Sequence, residues 1–196
     1  LAAFFFESLL APKADLWPRW QAHQESSTQT IDHGAWDAFL GRYVIYSGDG
    51  INRVDYGKVG AADRAALAAY VDRLSGLPIS THNRPQQRAY WINLYNALTV
   101  RVILDHYPVD SIRDIDIAGG LFTDGPWQKK LLRIEGQSVS LDDIEHRILR
   151  PIWRDARLHY ALNCAAVGCP NLQTRAFTVA NSEILLDAAA RAYVNH

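Results

Sequence analysis

Between Asn83 and His106 the chain carries a long segment with no polar face. Trp91, Leu94, Tyr95, Leu98 and Val102 fall at helical spacing on one side, and Val100, Ile103 and Leu104 occupy the rest. A helix that is apolar nearly all round has to be buried, so this segment predicts the centre of the domain, around which everything else must pack. Asn83 and Pro85 open it, and Pro108 lies beyond its end. Asn93 and Asn96, three residues apart, share one side of the helix. A buried carboxamide left unpaired costs about 1–3 kcal/mol, so each needs partners. Either they tie down neighbouring loops or they line a polar cavity.

The remaining elements are shorter. Asp32 reads as a helix N-cap followed by Trp36, Phe39, Leu40 and Tyr43 at helical spacing, with Gly48-Asp49-Gly50 turning the chain afterwards. Val54 and Tyr56 alternate with polar neighbours as in a short strand. An alanine-rich helix spans about 61–74, with Gly76 as its stop. Leu131 to Ile134 and Gln137 to Ser140 flank Glu135-Gly136 as a hairpin. Ser140 and Asp143 match a capping box for a helix from Leu141 to Leu149, which Pro151 should end. A strand is predicted from His159 to about Asn163, and a last helix from Asn181 to Val194. Helices and short strands mix without regular alternation, and no repeat or linker divides the 196 residues, so the expectation is one α+β domain.

Composition bounds the function. Twenty basic residues against twenty-one acidic ones leave a net charge of −1 with no lysine-rich stretch, which argues against nucleic acid as a partner. No apolar stretch approaches the roughly 20 residues of a membrane span. The apolar start, Leu1 to Phe6, is interrupted by Glu7. It reads either as the stub of a removed export signal, placing the protein in the periplasm or outside the cell, or as a helix packing on the core of a cytoplasmic protein.

Both cysteines, Cys164 and Cys169, lie in one stretch, Leu158 to Leu172, with His159 ahead of them. A thiolate is a nucleophile, and a nearby cation or helix N-terminus lowers a cysteine pKa from about 8.5. In a continuous strand His159 and Cys164 would point to opposite faces about 16 Å apart. His146, on a separate helix, is therefore the freer candidate base, with Glu145 or Asp142 to orient an imidazole. Three other readings compete. Four intervening residues permit a Cys164–Cys169 disulfide. Cys164, Cys169, His159 and His146 offer donors for zinc, though without a recognised ligand spacing, and a lone strand histidine such as His159 also reads as a hydrogen-bonded core residue. No metal or other cofactor is expected.

Three blocks carry a resemblance: Ala-Tyr-Trp-Ile-Asn-Leu-Tyr-Asn-Ala-Leu-Thr-Val from Ala89, Ser-Leu-Asp-Asp-Ile-Glu-His-Arg-Ile-Leu-Arg-Pro from Ser140, and His-Tyr-Ala-Leu-Asn-Cys-Ala-Ala-Val-Gly-Cys-Pro from His159. Together they resemble the domain of unknown function 547 family, with weaker similarity back to Val54. The resemblance implies functional positions at Asn93, Asn96, Glu145, His146, His159 and Cys164. The second cysteine is serine in plant members, which favours Cys164 as nucleophile and Cys169 as a structural support. It also implies a distant likeness to papain-like cysteine peptidases: a buried central helix packed on a small, mostly antiparallel sheet. In the papain order the nucleophile opens the central helix, whereas here that helix carries asparagines and the cysteine comes later. The resemblance further implies a domain that continues past an Ala-Tyr-Val-Asn-like helix, with residues 1–30 as an N-terminal extension.

Two functions follow as expectations. One is a thiol hydrolase of the cysteine peptidase or amidase kind, acting on a peptide or small amide. Cys164 is then the nucleophile, His146 or His159 the base, Glu145 the orienting carboxylate and Asn96 or Asn163 an oxyanion donor. The other is a non-catalytic module that binds a peptide or another ligand on the same scaffold. A Cys164–Cys169 disulfide favours the second, because an oxidised sulfur cannot attack.

Overall fold

The computed structural model describes residues 14–115, 117, 125–166 and 168–195. The segment Leu1 to Phe6 therefore lies outside the described residues. The fold is α+β, as the sequence predicts, with its described strands in two separate antiparallel pairs. Helix α1 (Gly34–Tyr43) buries Trp36, Phe39, Leu40 and Tyr43. Asp32 accepts from the Gly34 amide at 2.8 Å, one residue before the cap position held by His33. Strand β1 (Val44–Tyr46) follows directly and pairs with β2 (Asn52–Val54), Ile45 opposite Arg53. The predicted strand at Val54 to Tyr56 is displaced toward the N-terminus, because the chain coils into a 3₁₀ turn at Tyr56–Lys58. Helix α2 (Ala61–Ser75) ends at Gly76.

Helix α3 (Arg84–His106) is the centre the sequence predicts. Asn83 caps it by accepting from the Gln86 amide at 3.1 Å, and every residue from Ala89 to Val100 is buried. It packs against α2 on one side and a π-helical segment on another. Strands β3 (Leu132–Ile134) and β4 (Gln137–Val139) form the expected hairpin. Its two turn residues, Glu135 at φ 44° and Gly136 at φ 80°, have the positive angles that a type I′ turn needs.

The helix predicted from Leu141 to Leu149 forms but is wound wider. Its capping box is reciprocal: the Ser140 amide donates to Asp143 Oδ2 at 2.9 Å and the Asp143 amide to Ser140 Oγ at 3.2 Å. From Asp143–Leu149 the winding is π, and the chain then continues as α4 (Arg150–Trp153) to a left-handed stop at Arg154, φ 52°. Pro151 does not end the helix where the sequence reading places the stop. A proline lacks the N–H that would bond a preceding carbonyl, so in place of ending the helix it leaves acceptors open. Arg147 O loses its i+4 partner. His146 O loses its i+5 partner, its i+4 partner Arg150 having turned to Glu145 O. Both carbonyls are filled from outside, Arg147 O by the Trp17 amide at 3.0 Å and His146 O by the Asp15 amide at 3.2 Å. The described part of the N-terminal extension is thus strapped to the body, and Trp20 sits in the core beside Trp91, ring centroids 5.1 Å apart.

The predicted strand from His159 is a correction. Leu158–Ala161 is a helical turn, α5, and only from Leu162 is the backbone extended. Leu158, Ala161 and Leu162 are buried, a helical i, i+3, i+4 spacing that alternation had obscured. Helix α6 (Ser182–Val194) closes the described fold and packs on α5. No helix among the described residues is long and apolar enough to cross a membrane.

Candidate functional site

The predicted site residues fall into two neighbourhoods joined by the segment 158–164. In the first, the π-helical segment and α5 bring Glu145, His146 and His159 together. Glu145 and His146 are each 14% exposed, His159 59%. His159 Nδ1 lies 3.6 Å from Glu145 Oε1. His146 Nε2 lies 4.0 Å from Glu145 Oε2, and its Nδ1 accepts from Arg150 Nη1 at 3.0 Å. A guanidinium has no lone pair and can only donate. That contact fixes His146 as the neutral Nε2–H tautomer and occupies its basic nitrogen. With Nδ1–H turned to Glu145, His159 keeps the lone pair of Nε2 on an exposed ring edge. Burial pushes the Glu145 carboxyl up, but the imidazole of His159 and the charge of Arg150 outweigh it and hold it below the ordinary glutamate range. Asp142, one turn back, goes the other way: burial raises it, and the Glu145 and Asp143 charges add to that. Tyr95 of α3 forms the floor, its phenol held well above the ordinary range by burial and then by the Glu145 and Asp142 charges.

The second neighbourhood is the cysteine loop. Cys164 and Cys169 are bonded to each other, Cα atoms 6.0 Å apart. Asn163 closes the same loop a second time, accepting from the Ala165 amide at 3.1 Å and donating to Pro170 O at 2.7 Å. Within the loop Ala165 (φ 58°) and Gly168 (φ 92°) take left-handed angles. Beyond it, Asn171 and Asn52 dock the end of the β1–β2 hairpin through three bonds: the Asn52 amide to Asn171 Oδ1 at 2.9 Å, Asn171 Nδ2 to Gly50 O at 2.7 Å and Asn52 Nδ2 to Leu172 O at 2.9 Å. Between hairpin, loop and the end of α6 lies a cavity of about 700 Å³. Its walls include Ile51, Val54, Tyr56, Ala165, Ala166, Cys169, Leu172 and Tyr193. Its one charged wall residue among the described residues, Arg53, is paired with Asp49 at 2.8 Å.

The asparagines of α3 are accounted for by backbone. Asn93 donates to Phe177 O at 2.7 Å and accepts from the Phe177 amide at 2.9 Å. Asn96 donates to Ala161 O at 2.9 Å and accepts from the Asn163 amide at 2.9 Å. Of the two readings of these carboxamides, the loop tie matches these bonds. Glu145, His146 and His159 lie together, while of the cysteines only Cys169 stands on the cavity wall. Among the described residues no group of three or more histidine, cysteine or acidic side chains is placed to hold a metal ion. Sequence reasoning missed Arg150, though its i+4 spacing from His146 was a usable signal. It also missed the β1–β2 hairpin as a cavity wall, which no local pattern marks.

The sequence profile of a family described as "Protein of unknown function, DUF547" matches residues 79–194, more than half of the chain. The protein belongs to that family. No curated protein and no solved structure matches the chain.

Proposed function

We propose that this DUF547 protein is a binding module that takes an apolar ligand, such as the aliphatic or aromatic side chain of a peptide, into the cavity beside its disulfide loop. The observation that carries the reading is the Cys164–Cys169 disulfide, with its Cys169 half on the wall of a preformed cavity. A bonded sulfur does not attack a carbonyl, and a cavity of this size with mostly apolar walls and a few carboxamides has the make-up of a small-molecule or side-chain site. A disulfide of this kind suits an oxidising compartment, the periplasm or the exterior. The test is chemical-shift mapping with acetylated dipeptide amides. Those with aromatic or branched side chains should perturb Ala165, Ala166 and Tyr193, and Ala192→Phe, which fills the cavity from α6, should abolish the effect. Native protein should take up no iodoacetamide before a reductant is added.

The Glu145–His159 pair supports a second reading, a thiol hydrolase in the reduced form. Cys164 is then the nucleophile, His159 the base through Nε2 and Glu145 the group that orients it. The helical turn of α5 rises about 1.5 Å per residue, so His159 and Cys164 are not set on opposite faces of one continuous strand. Amide hydrolysis that appears only after reduction and vanishes in both Cys164→Ser and His159→Gln would establish this reading over the first.

A further inference from the structure

The disulfide is placed so that one sulfur belongs to the cavity and the other does not. Cys169 lines the cavity and Cys164 is absent from its walls. Cys169 is thus the half of the disulfide that the cavity offers to a bound thiolate, and displacement there makes Cys164 the leaving group. Its neighbours in the chain on the same wall, Ala166 and Gly168, are small. Two ties that use neither sulfur, Asn163 to Pro170 O and Asn171 to Gly50 O, hold the loop and the hairpin besides the disulfide. Ala165, held in a left-handed conformation that costs a residue with a Cβ about 1 kcal/mol or more, gains freedom when the loop opens.

We propose that the ligand of this cavity is an apolar thiol, such as a cysteine flanked by apolar groups in a peptide, and that it is captured by exchange with the disulfide. The incoming thiolate forms a bond to Cys169 Sγ, the Cys164–Cys169 bond breaks, and its electron pair leaves on Cys164 as a thiolate that takes a proton from water. One disulfide is exchanged for another, and no outside oxidant or reductant enters. This rests on the binding reading above and gives its ligand a chemical class.

The probe is 2-phenylethanethiol, compared with reduced glutathione at matched thiolate concentration. Native protein is sampled over time, quenched in acid, blocked with a maleimide and peptide-mapped. The aryl thiol should appear on Cys169 with the maleimide on Cys164, at least about tenfold faster than the glutathione adduct, the gain from burying one aromatic group. Ala192→Phe, at an exposed position of α6, should erase that advantage while borohydride reduces the disulfide at the unaltered rate. Adducts on Cys164, or an aryl thiol no faster than glutathione, overturn the inference. 2-Phenylethanol separates this failure from that of the binding reading. Shift changes at Ala166 and Tyr193 without a Cys169 adduct from the thiol sink the exchange alone, and no shifts with no adduct sink both.

Discussion

The neighbourhoods on either side of residues 158–164 are held by different forces. The Glu145 side is built of charge: a half-buried carboxylate between two imidazoles, one of them locked by a guanidinium, on a π-helical segment whose open carbonyls are filled by a distant strap. The cysteine side is built of small residues, carboxamide ties and one covalent bond around an apolar cavity. The first is polar and titratable, the second apolar and covalently closed. Asn96 is the hinge between them, since it grips Ala161 on one side and Asn163 on the other.

Breaking that hinge should have the largest effect. Asn96→Leu keeps the volume but leaves Ala161 O and the Asn163 amide without their partner. At about 1–3 kcal/mol for each buried unpaired group, we expect a loss of about 4 kcal/mol in a urea titration. A loss below about 1 kcal/mol would mean that the two neighbourhoods do not share this residue. Acid should separate them next, once a global effect is removed. His33 is 5% exposed, accepts or donates at Nδ1 to the Tyr70 hydroxyl at 2.7 Å, and is lowered from 6.5 to about 4 by burial and then by the Arg73 charge. Between those values the unfolded chain binds the proton and the folded one does not, so stability falls as pH drops from 6.5 to 4. The loss should total about 3 kcal/mol, and His33→Gln should flatten this limb. With that limb flattened, the Glu145 side has its own acid response. Its depressed carboxyl contributes stability above the unfolded glutamate pKa and loses it as pH falls through the folded value, while on the cysteine side the depressed carboxyl of Asp49, paired with Arg53, is exposed and screened by solvent. Amide exchange should show residues 143–150 loosening first.

Reduction of the disulfide should cost less, about 2 kcal/mol for so short a loop in the chain-entropy description, and should act on the opposite side. Exchange protection should fall at Gly168, Asn171 and Tyr193 while Glu145 and His146 keep theirs. Equal loosening on both sides would show that the two neighbourhoods form one cooperative unit.

The elements that sequence disclosed were those with a strong local pattern. Helix α3 declared itself because no face of it tolerates water, and the β3–β4 turn because Glu-Gly accepts two positive φ angles. The segment from Pro151 to Asn163 did not. Pro151 signals a stop by its missing N–H, but the strap at Asp15 and Trp17 accepts the cost from a hundred residues away. His159 to Asn163 reads as a strand because Leu158, Ala161 and Leu162 mark out only a single helical turn. At the site, Glu145, His146 and His159 were legible as residue types, but their order of roles was not. That order depends on Arg150 taking one nitrogen and on Glu145 turning toward the other ring.

That assignment is the smallest effect and the sharpest test of the charged side. Arg150→Met removes the donor to His146 Nδ1 and leaves the aliphatic stem in place. Both partners are partly solvated, so the stability change should stay below about 1 kcal/mol, and the readout is instead the nitrogen spectrum of the two rings. In the native protein His146 should be the neutral Nε2–H tautomer and His159 should carry its proton on Nδ1. In Arg150→Met, His146 should become a mixture of tautomers while His159, held by Glu145, stays as it was. Glu145→Gln should do the reverse, freeing His159 and leaving His146 locked. If instead His159 carries its proton on Nε2 in the native protein, its free nitrogen faces the half-buried carboxylate. His146 would then have to be considered again as the base.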